Sequence, residues 1–299
     1  MFHLMLSDFE LATGLPLWTG YLFIFVLGAA VGSFLNVVIH RVPREQSVVF
    51  PTSACPKCGG AIKAYDNIPI LSWLILGGKC RTCKVPISAR YPAVELFNAL
   101  LWLLVFWQIG FTPMLPVGLI FVSVIAALMF IDAEHMILPN VITYPLFVVV
   151  LLLRIVFPII FSYSVFSDSF YAPLASMIGE YHPVVISLFG ALLGALAGGG
   201  SLWLVGELWK RLRGVDAMGL GDVKMMLGVG ALLGWRLTLL SIFLGAFAGA
   251  IIGGVYISAK KDKDLQAQIP FGIFLGIGSI VAFIFGERMI AWYVNTFIP

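Results

Sequence analysis

The sequence predicts an all-α polytopic membrane protein with about eight transmembrane helices and a small zinc-binding loop subdomain. Three observations predict it: 61% of the 299 residues are hydrophobic, only 11% are charged, and all four cysteines lie in one polar loop. A soluble domain carries about 25% charged residues, so this chain has too little polar surface to cover a water-soluble globule. This composition excludes most cytosolic enzymes, and a net charge of +3 implies no nucleic-acid partner.

The apolar runs are long enough to cross a bilayer, because about 20 helical residues span about 30 Å of hydrocarbon. This length predicts spans at residues 18–39, 93–111, 114–131, 141–161, 183–206, 223–236, 238–258 and 270–293. The sixth is short because Gly234-Trp235-Arg236 interrupts the run. No basic segment precedes the first span, which is also longer than the apolar core of a signal peptide, so we expect it to be retained.

The basic residues predict the orientation of these spans. Eight lysines and arginines lie between the first two spans, and further clusters flank the loop between spans five and six and follow span seven. Alternation of the spans places all three clusters on one side, which the positive-inside rule identifies as the cytoplasm. The amino terminus and the 162–182 loop contain no lysine or arginine. Both are therefore expected on the periplasmic side.

These predictions divide the chain into three parts. Residues 1–40 form the periplasmic amino terminus and the first transmembrane helix, residues 41–92 a cytoplasmic zinc-binding loop, and residues 93–299 a transmembrane bundle. The chain contacts membrane lipid, and its oligomeric state cannot be inferred from the sequence.

The four cysteines form two CxxC pairs, Cys55-Pro-Lys-Cys58 and Cys80-Arg-Thr-Cys83. Two such pairs separated by about 20 residues match the spacing of a four-thiolate zinc site. A disulfide would need an oxidising compartment, which the predicted cytoplasmic position does not provide. We therefore predict structural Zn²⁺, with a metal-free or redox-active loop as the alternatives. Four thiolates leave no open coordination position for catalysis.

Two carboxylates at predicted helix ends are the candidate catalytic residues. Asp132 ends the apolar run from Val117 to Ile131, and Asp222 precedes another apolar run. Ionisable groups in membrane helices are costly and are functional candidates for that reason. On the predicted topology both lie at the cytoplasmic interface, where they could share a proton and act as base and acid, as in aspartic proteases. The alternative is that both cap helices or form ion pairs, with Asp222 held by Lys224 or Arg213.

Several short sequence segments, taken in order, resemble those of the bacterial type 4 prepilin peptidases. These are a family of GxGD-type intramembrane aspartic proteases. The first segments are Gly32-Ser-Phe-Leu-Asn-Val-Val-Ile-His-Arg41, the first CxxC pair, Asn67-Ile-Pro69, Ser72-Trp73 and the second CxxC pair. The later ones are Ile87-Ser88, Arg90-Tyr-Pro92, Glu95, Ile131-Asp132, Leu138-Pro139 and Gly219-Leu-Gly221-Asp222-Val-Lys224. The resemblance covers most of the chain.

The resemblance implies that the chain removes the basic leader from type IV prepilins or type II secretion pseudopilins at the cytoplasmic face of the bacterial inner membrane. Asp132 and Asp222 match the family's catalytic aspartates, and Cys55, Cys58, Cys80 and Cys83 match its metal-binding cysteines. It further implies methylation of the new amino terminus with S-adenosylmethionine. No Gly-rich nucleotide-binding fingerprint is present, so the methyl-donor pocket cannot be assigned.

Two positions depart from the family pattern. Asn140 stands where many members have an acidic residue, and Ala217 where a glycine is common. Neither is a catalytic aspartate.

A different class of function also fits part of the pattern. In a cation or proton transporter with a zinc regulatory loop, Asp132, Asp222 and Lys224 would line the ion path. Transporters often contain internal repeats, and we find none between the two halves.

Overall fold

The structure is a computed structural model that describes residues 9–160, 182–215, 218–259 and 270–297. Within these ranges, seven helices are long and apolar enough to span a membrane. The chain forms two compact units, Met1–Ala127 (unit 1) and Leu128–Pro299 (unit 2). The predicted all-helical membrane fold is confirmed.

Unit 1 contains α1 (Leu17–Arg41), the short α2 (Leu71–Ile75), α3 (Arg90–Ile109) and the first part of α4 (Leu115–His135). Glycines on α1 bring it close to α3. A Cβ atom at Gly28 would lie 2.9 Å from Ala99 Cα, and one at Gly32 would lie 2.7 Å from Glu95 Cα. Small residues allow such backbone approach between membrane helices, where burial from water gives little drive for association.

A buried polar chain links the helices of unit 1. The Asn98 side-chain amide donates to Gly28 O at 2.7 Å, and the Ser123 hydroxyl lies 3.0 Å from Asn98 Oδ1. The Trp102 indole donates to Ser123 Oγ at 2.8 Å. These contacts satisfy groups that would be costly to leave unpaired in a lipid environment.

Unit 2 contains the end of α4 and five further helices. They are α5 (Asn140–Ile160), α6 (Pro183–Ala195), α7 (Ser201–Arg213), α8 (Leu220–Ala259) and α9 (Phe271–Phe297). A π-helical segment, Leu196–Gly200, joins α6 to α7. The fifth predicted span therefore continues to Arg213 as one helical run, Pro183–Arg213.

Helix α8 reverses direction at Gly234, whose φ of 74° and ψ of 170° are not helical. Ser279 Oγ lies 3.0 Å from Ser241 Oγ and 3.8 Å from Met226 Sδ. In a straight helix, Met226 and Ser241 would be about 22 Å apart along the axis. The chain must therefore fold back between them, and the sixth and seventh predicted spans are the two arms of α8. This is why eight predicted spans correspond to seven apolar helices.

Arg154 of α5 is fully buried and binds the end of the first arm of α8. Its guanidinium donates to Ala231 O at 3.0 Å and to Leu232 O at 2.8 Å. The last carbonyls of a helix have no partner within that helix, and here no water is available to replace one. Arg154 thus caps an arm that ends inside unit 2.

Some sequence predictions fall outside the described residues. They include nearly all of the 162–182 loop, Ala217, and the basic cluster after the seventh predicted span, Lys260, Lys261 and Lys263.

Candidate active site and metal centre

The two candidate catalytic aspartates both belong to unit 2. Asp132 lies in the last turn of α4 and is 6% exposed, and Asp222 lies in the first turn of α8 and is 8% exposed. Burial of two acidic side chains at helix ends is unusual unless they are paired or functional.

Gly272, in the first turn of α9, brings the aspartates together. A Cβ atom at this position would lie 2.8 Å from Asp132 Oδ2 and 3.1 Å from Asp222 Oδ1. Both distances are measured from the same point. Asp132 Oδ2 and Asp222 Oδ1 are therefore close enough for one water molecule to bridge them. The absence of a side chain at Gly272 leaves the space that the carboxylates occupy.

Backbone amides lie beside both carboxylates. Those of Gly272 and Ile273, at the start of α9, are close to the Asp132 carboxylate. That of Gly219, just before α8, is close to the Asp222 carboxylate. Asp132 Oδ2 is buried and accepts no hydrogen bond within the described part of the chain. This oxygen therefore has free lone pairs beside Asp222.

The aspartates open into a cleft of about 260 Å³. Its lining residues are Asp132, Met136, Ile137, Leu138, Asn140, Gly219, Gly221, Asp222 and Lys224. The Leu138 side chain packs on Gly221, where an added Cβ would lie 2.8 Å from Leu138 Cβ. The cleft is bordered by loop backbone and by the two acidic side chains.

Lys224 faces this cleft but does not pair with Asp222. Its ammonium donates to Asn140 Oδ1 at 2.8 Å and lies 5.1 Å from the centre of the Tyr144 ring. Arg213 instead lies over the Trp209 ring at 5.5 Å. Within the described residues, the ion pairs considered for Asp222 from the sequence are not formed.

The four cysteines of unit 1 meet at one point. Their Sγ atoms all lie within 4.8 Å of one another, and Cys55 Sγ is 3.8 Å from Cys83 Sγ. Tetrahedral Zn²⁺ with Zn–S bonds of about 2.3 Å places its sulfurs about 3.8 Å apart. All four thiols are free of disulfides. The cluster therefore fits a four-thiolate metal site.

Each CxxC pair forms a tight turn closed by an isolated antiparallel bridge, Ala54 with Ala61 and Lys79 with Pro86. The residue after each second cysteine has positive φ, 67° at Gly59 and 59° at Lys84. Glycine adopts such a φ without steric cost, which accounts for Gly59. Backbone N–H groups of Cys58 and Lys57 point at Cys55 Sγ and lower the pKa of this thiol to about 6.

A polar link joins the second turn to the preceding segment. The Arg81 guanidinium donates to both carboxylate oxygens of Asp66, at 2.6 to 3.0 Å. Asp66 lies on a 3-10 turn, Ala64–Asn67. Hydrogen bonding to Arg81 lowers the pKa of Asp66 below its ordinary value. The loop between the two CxxC pairs is thus fixed to the metal-site residues.

Sequence reasoning missed Gly272. The only local signal is a glycine in the first turn of α9, where a better helix former would be expected. Its role depends on the packing of α4, α8 and α9.

Two family models match the chain. The model described as Bacterial Peptidase A24 N-terminal domain matches residues 26–109. The model described as Type IV leader peptidase family matches residues 119–254.

Curated relatives match along nearly the whole chain. A prepilin leader peptidase/N-methyltransferase of Pseudomonas aeruginosa is 34% identical over 90% of this chain and 92% of the relative. The protein of the same name from Aeromonas hydrophila is 34% identical over 97% of this chain and 98% of its own length. That of Legionella pneumophila is 31% identical over 93% and 96%. No solved structure matches the chain.

Proposed function

Because this chain belongs to the type IV leader peptidase family, we propose that it is a bacterial inner-membrane enzyme that removes the basic leader of type IV prepilins or type II secretion pseudopilins and then methylates the new amino terminus. The relatives are named for both activities. The observation that carries the peptidase assignment is the meeting of Asp132 and Asp222 at Gly272.

In the proposed reaction, the aspartates act as base and acid on opposite sides of one water. Asp132 Oδ2 accepts no hydrogen bond within the described residues and is free to take a proton, so we assign Asp132 the role of base. Asp132 takes a proton from the water as its oxygen attacks the peptide carbonyl carbon. Asp222 gives its proton to the carbonyl oxygen. The C–N bond then breaks, and the leaving nitrogen takes the proton held by Asp132. One hydroxyl of the tetrahedral intermediate returns a proton to Asp222 as the carbonyl re-forms, which leaves both aspartates as they began.

Lys224 is the cation nearest to this chemistry among the residues lining the cleft. Asn140 and Tyr144 hold its ammonium in place without neutralising its charge. A fixed positive charge beside a cleft lowers the energy of the negative charge that develops on the carbonyl oxygen. We assign Lys224 this electrostatic role.

The orientation of the substrate follows from the predicted topology. The apolar segment of a prepilin would lie in lipid against the enzyme, and its basic leader would remain in the cytoplasm. We place Asp132 and Asp222 at the cytoplasmic interface because the basic clusters indicate that side.

We assign the four cysteines to structural zinc. With all four positions taken by thiolates, the ion leaves no site for substrate, so it organises the cytoplasmic loop. Methylation uses S-adenosylmethionine as a second substrate, as in the family.

The proposed function is tested by incubating the purified protein with a purified prepilin and labelled S-adenosylmethionine. Mass spectrometry of the product reads leader removal and methyl gain together. We expect a single cut after the basic leader and one added methyl group on the new amino terminus. An intact prepilin after prolonged incubation would contradict the peptidase assignment, and ion flux in liposomes without cleavage would favour a transporter.

A further inference from the structure

Glu95 is a buried acidic residue that the proposed cleavage does not use. It lies in the second turn of α3, inside an apolar helix long enough to span the membrane, and is 8% exposed. An ionisable side chain in such a helix is a functional candidate unless its contacts account for it.

The contacts of Glu95 come from two directions in unit 1. Its Oε2 accepts a hydrogen bond from the Ile70 backbone N–H at 2.6 Å, and the Ser33 side chain lies beside the same carboxylate. Ile70 adopts a φ of 62° and a ψ of −53°, which is costly for a β-branched residue. These contacts leave further lone pairs on the carboxylate, which has about four acceptor sites.

Asn36, one helical turn after Gly32 on α1, is a second buried acceptor, and it contacts α3 one turn before Glu95. Its side-chain NH₂ donates to Tyr91 O at 3.0 Å and to Gly32 O at 3.4 Å. These two bonds determine which amide atom is oxygen. Asn36 is 5% exposed, and its Oδ1 is buried with no donor among the described residues. A buried polar atom without a partner requires an explanation.

Ser33, Asn36 and Glu95 form what we call the α1–α3 acceptor cluster. Gly32 makes it compact, because it allows the α1 backbone to approach Glu95 Cα. The cluster has more acceptor capacity than its described donors fill, and it carries a carboxylate. Its chemistry therefore favours a cationic ligand that donates several hydrogen bonds.

A primary ammonium group fits this requirement better than a metal ion. Ca²⁺ takes six to eight oxygen ligands, and Mg²⁺ requires near-ideal octahedral geometry, whereas the cluster offers one carboxylate, one amide oxygen and one hydroxyl. An ammonium has three N–H donors and needs no such shell.

We propose that the α1–α3 acceptor cluster binds the α-amino group of the cleaved substrate for methylation, with Glu95 as the general base. This inference rests on the proposed function. Glu95 takes one proton from the bound ammonium. The freed nitrogen lone pair attacks the methyl carbon of S-adenosylmethionine, the S–CH₃ bond breaks with its electrons left on sulfur, and S-adenosylhomocysteine leaves. The methylated amine then carries the positive charge.

The first test substitutes Glu95→Gln in the full-length protein. Glutamine keeps an oxygen that can accept from Ile70 N–H but cannot serve as a base at neutral pH. The substrates are an intact prepilin for cleavage and the same pilin already freed of its leader for methylation. At pH 7 we expect methylation of the freed pilin to fall about tenfold, because only about a tenth of an α-amino group with a pKa of about 8 is neutral there without a base. Leader removal should continue. The control is Glu207→Gln, the same change at an exposed carboxylate paired with Arg211.

A second measurement separates a base from a structural residue. An α-amino group has a pKa of about 7.7–8.0, so raising the pH from 7 to 9 supplies the neutral amine without a base. Methylation by the Glu95→Gln variant should therefore rise about tenfold over this range. The wild-type protein should change less, because Glu95 already removes the proton. Asn36→Leu should weaken binding of the freed pilin and Asn36→Asp should not.

The outcomes distinguish the two proposals. If the wild-type protein methylates no freed pilin, both the methyltransferase assignment and this inference are overturned. If wild type methylates it and Glu95→Gln does so equally well, only the inference is overturned. Loss of cleavage together with methylation, or a loss that high pH does not reverse, would also overturn it, because Glu95 would then act through the fold.

Discussion

The metal site of unit 1 and the aspartate site of unit 2 are assembled in different ways. Each cysteine pair is held within a turn of a few residues, closed by its own bridge. The aspartates are 90 residues apart in sequence and meet because Gly272, on a third helix, leaves room for both. A local site is encoded in short motifs, whereas the acidic site depends on how three helices pack. Substitutions should therefore act differently on the two.

The largest expected effect is that of Gly272→Val on cleavage. A Cβ at this position would lie 2.8 Å from Asp132 Oδ2, so the carboxylates must separate. Displacement of catalytic groups by about 1 Å can cost about 100-fold in rate, and we expect at least this loss in prepilin cleavage. Gly206→Ala is the control, because its added Cβ would have its nearest neighbour at 3.9 Å. Near-normal cleavage by the valine variant would mean that α9 does not hold the two acids together.

The metal site should respond to loss of any one thiolate. We expect the wild-type protein to contain one zinc ion per chain and Cys55→Ser to lose most of it, because three thiolates no longer complete the shell. Limited proteolysis should then cut within residues 41–92 faster than in wild type. Elemental analysis and peptide mapping check this. Full zinc content in the serine variant would contradict a four-cysteine site.

Arg154 tests whether the reversal of α8 contributes to stability. Arg154→Met removes both donors to Ala231 O and Leu232 O. We expect the free energy of unfolding in detergent to fall by about 1–3 kcal/mol, the cost of leaving a buried acceptor unpaired. Arg154→Lys should recover part of the lost free energy of unfolding, because the lysine ammonium can still donate to one of the two carbonyls. Equal stability of wild type and the methionine variant would show that these carbonyls find other donors.

Lys224 should have the smallest of these effects. Lys224→Met removes a positive charge from the cleft, and we expect kcat for cleavage to fall about tenfold, or about 1.4 kcal/mol. Lys224→Arg should retain most activity. Asn140→Asp places a carboxylate against the Lys224 ammonium. Its kcat for cleavage should lie between those of wild type and Lys224→Met. A methionine variant with wild-type kcat would remove Lys224 from the proposed mechanism.

The same contrast explains what could be predicted from the sequence. Cysteine spacing was sufficient to predict that the four thiols meet, because the turn geometry is local. Apolar length was sufficient for the spans, and the short sixth span marked the reversal at Gly234. The resemblance named Asp132 and Asp222, whose catalytic role stays a prediction.

The contacts of Gly272, Arg154 and Glu95 could not be predicted, because each depends on a neighbouring helix that periodicity does not identify. In the sequence, nothing distinguishes Gly272 from the glycines that pack helices together. Glu95 appears there only among the segments that resemble the family. Only the structure reveals that Gly272 lies against both aspartates and that Glu95 is buried against the Ile70 backbone.

Cleavage by Asp132 and Asp222 together is tested by leader removal from a purified prepilin by the Asp132→Asn and Asp222→Asn variants. Methylation of a freed pilin measures whether each variant is folded. We predict that each variant loses cleavage by at least about 100-fold and keeps methylation. Complete processing of the prepilin by either variant would show that cleavage does not need both aspartates.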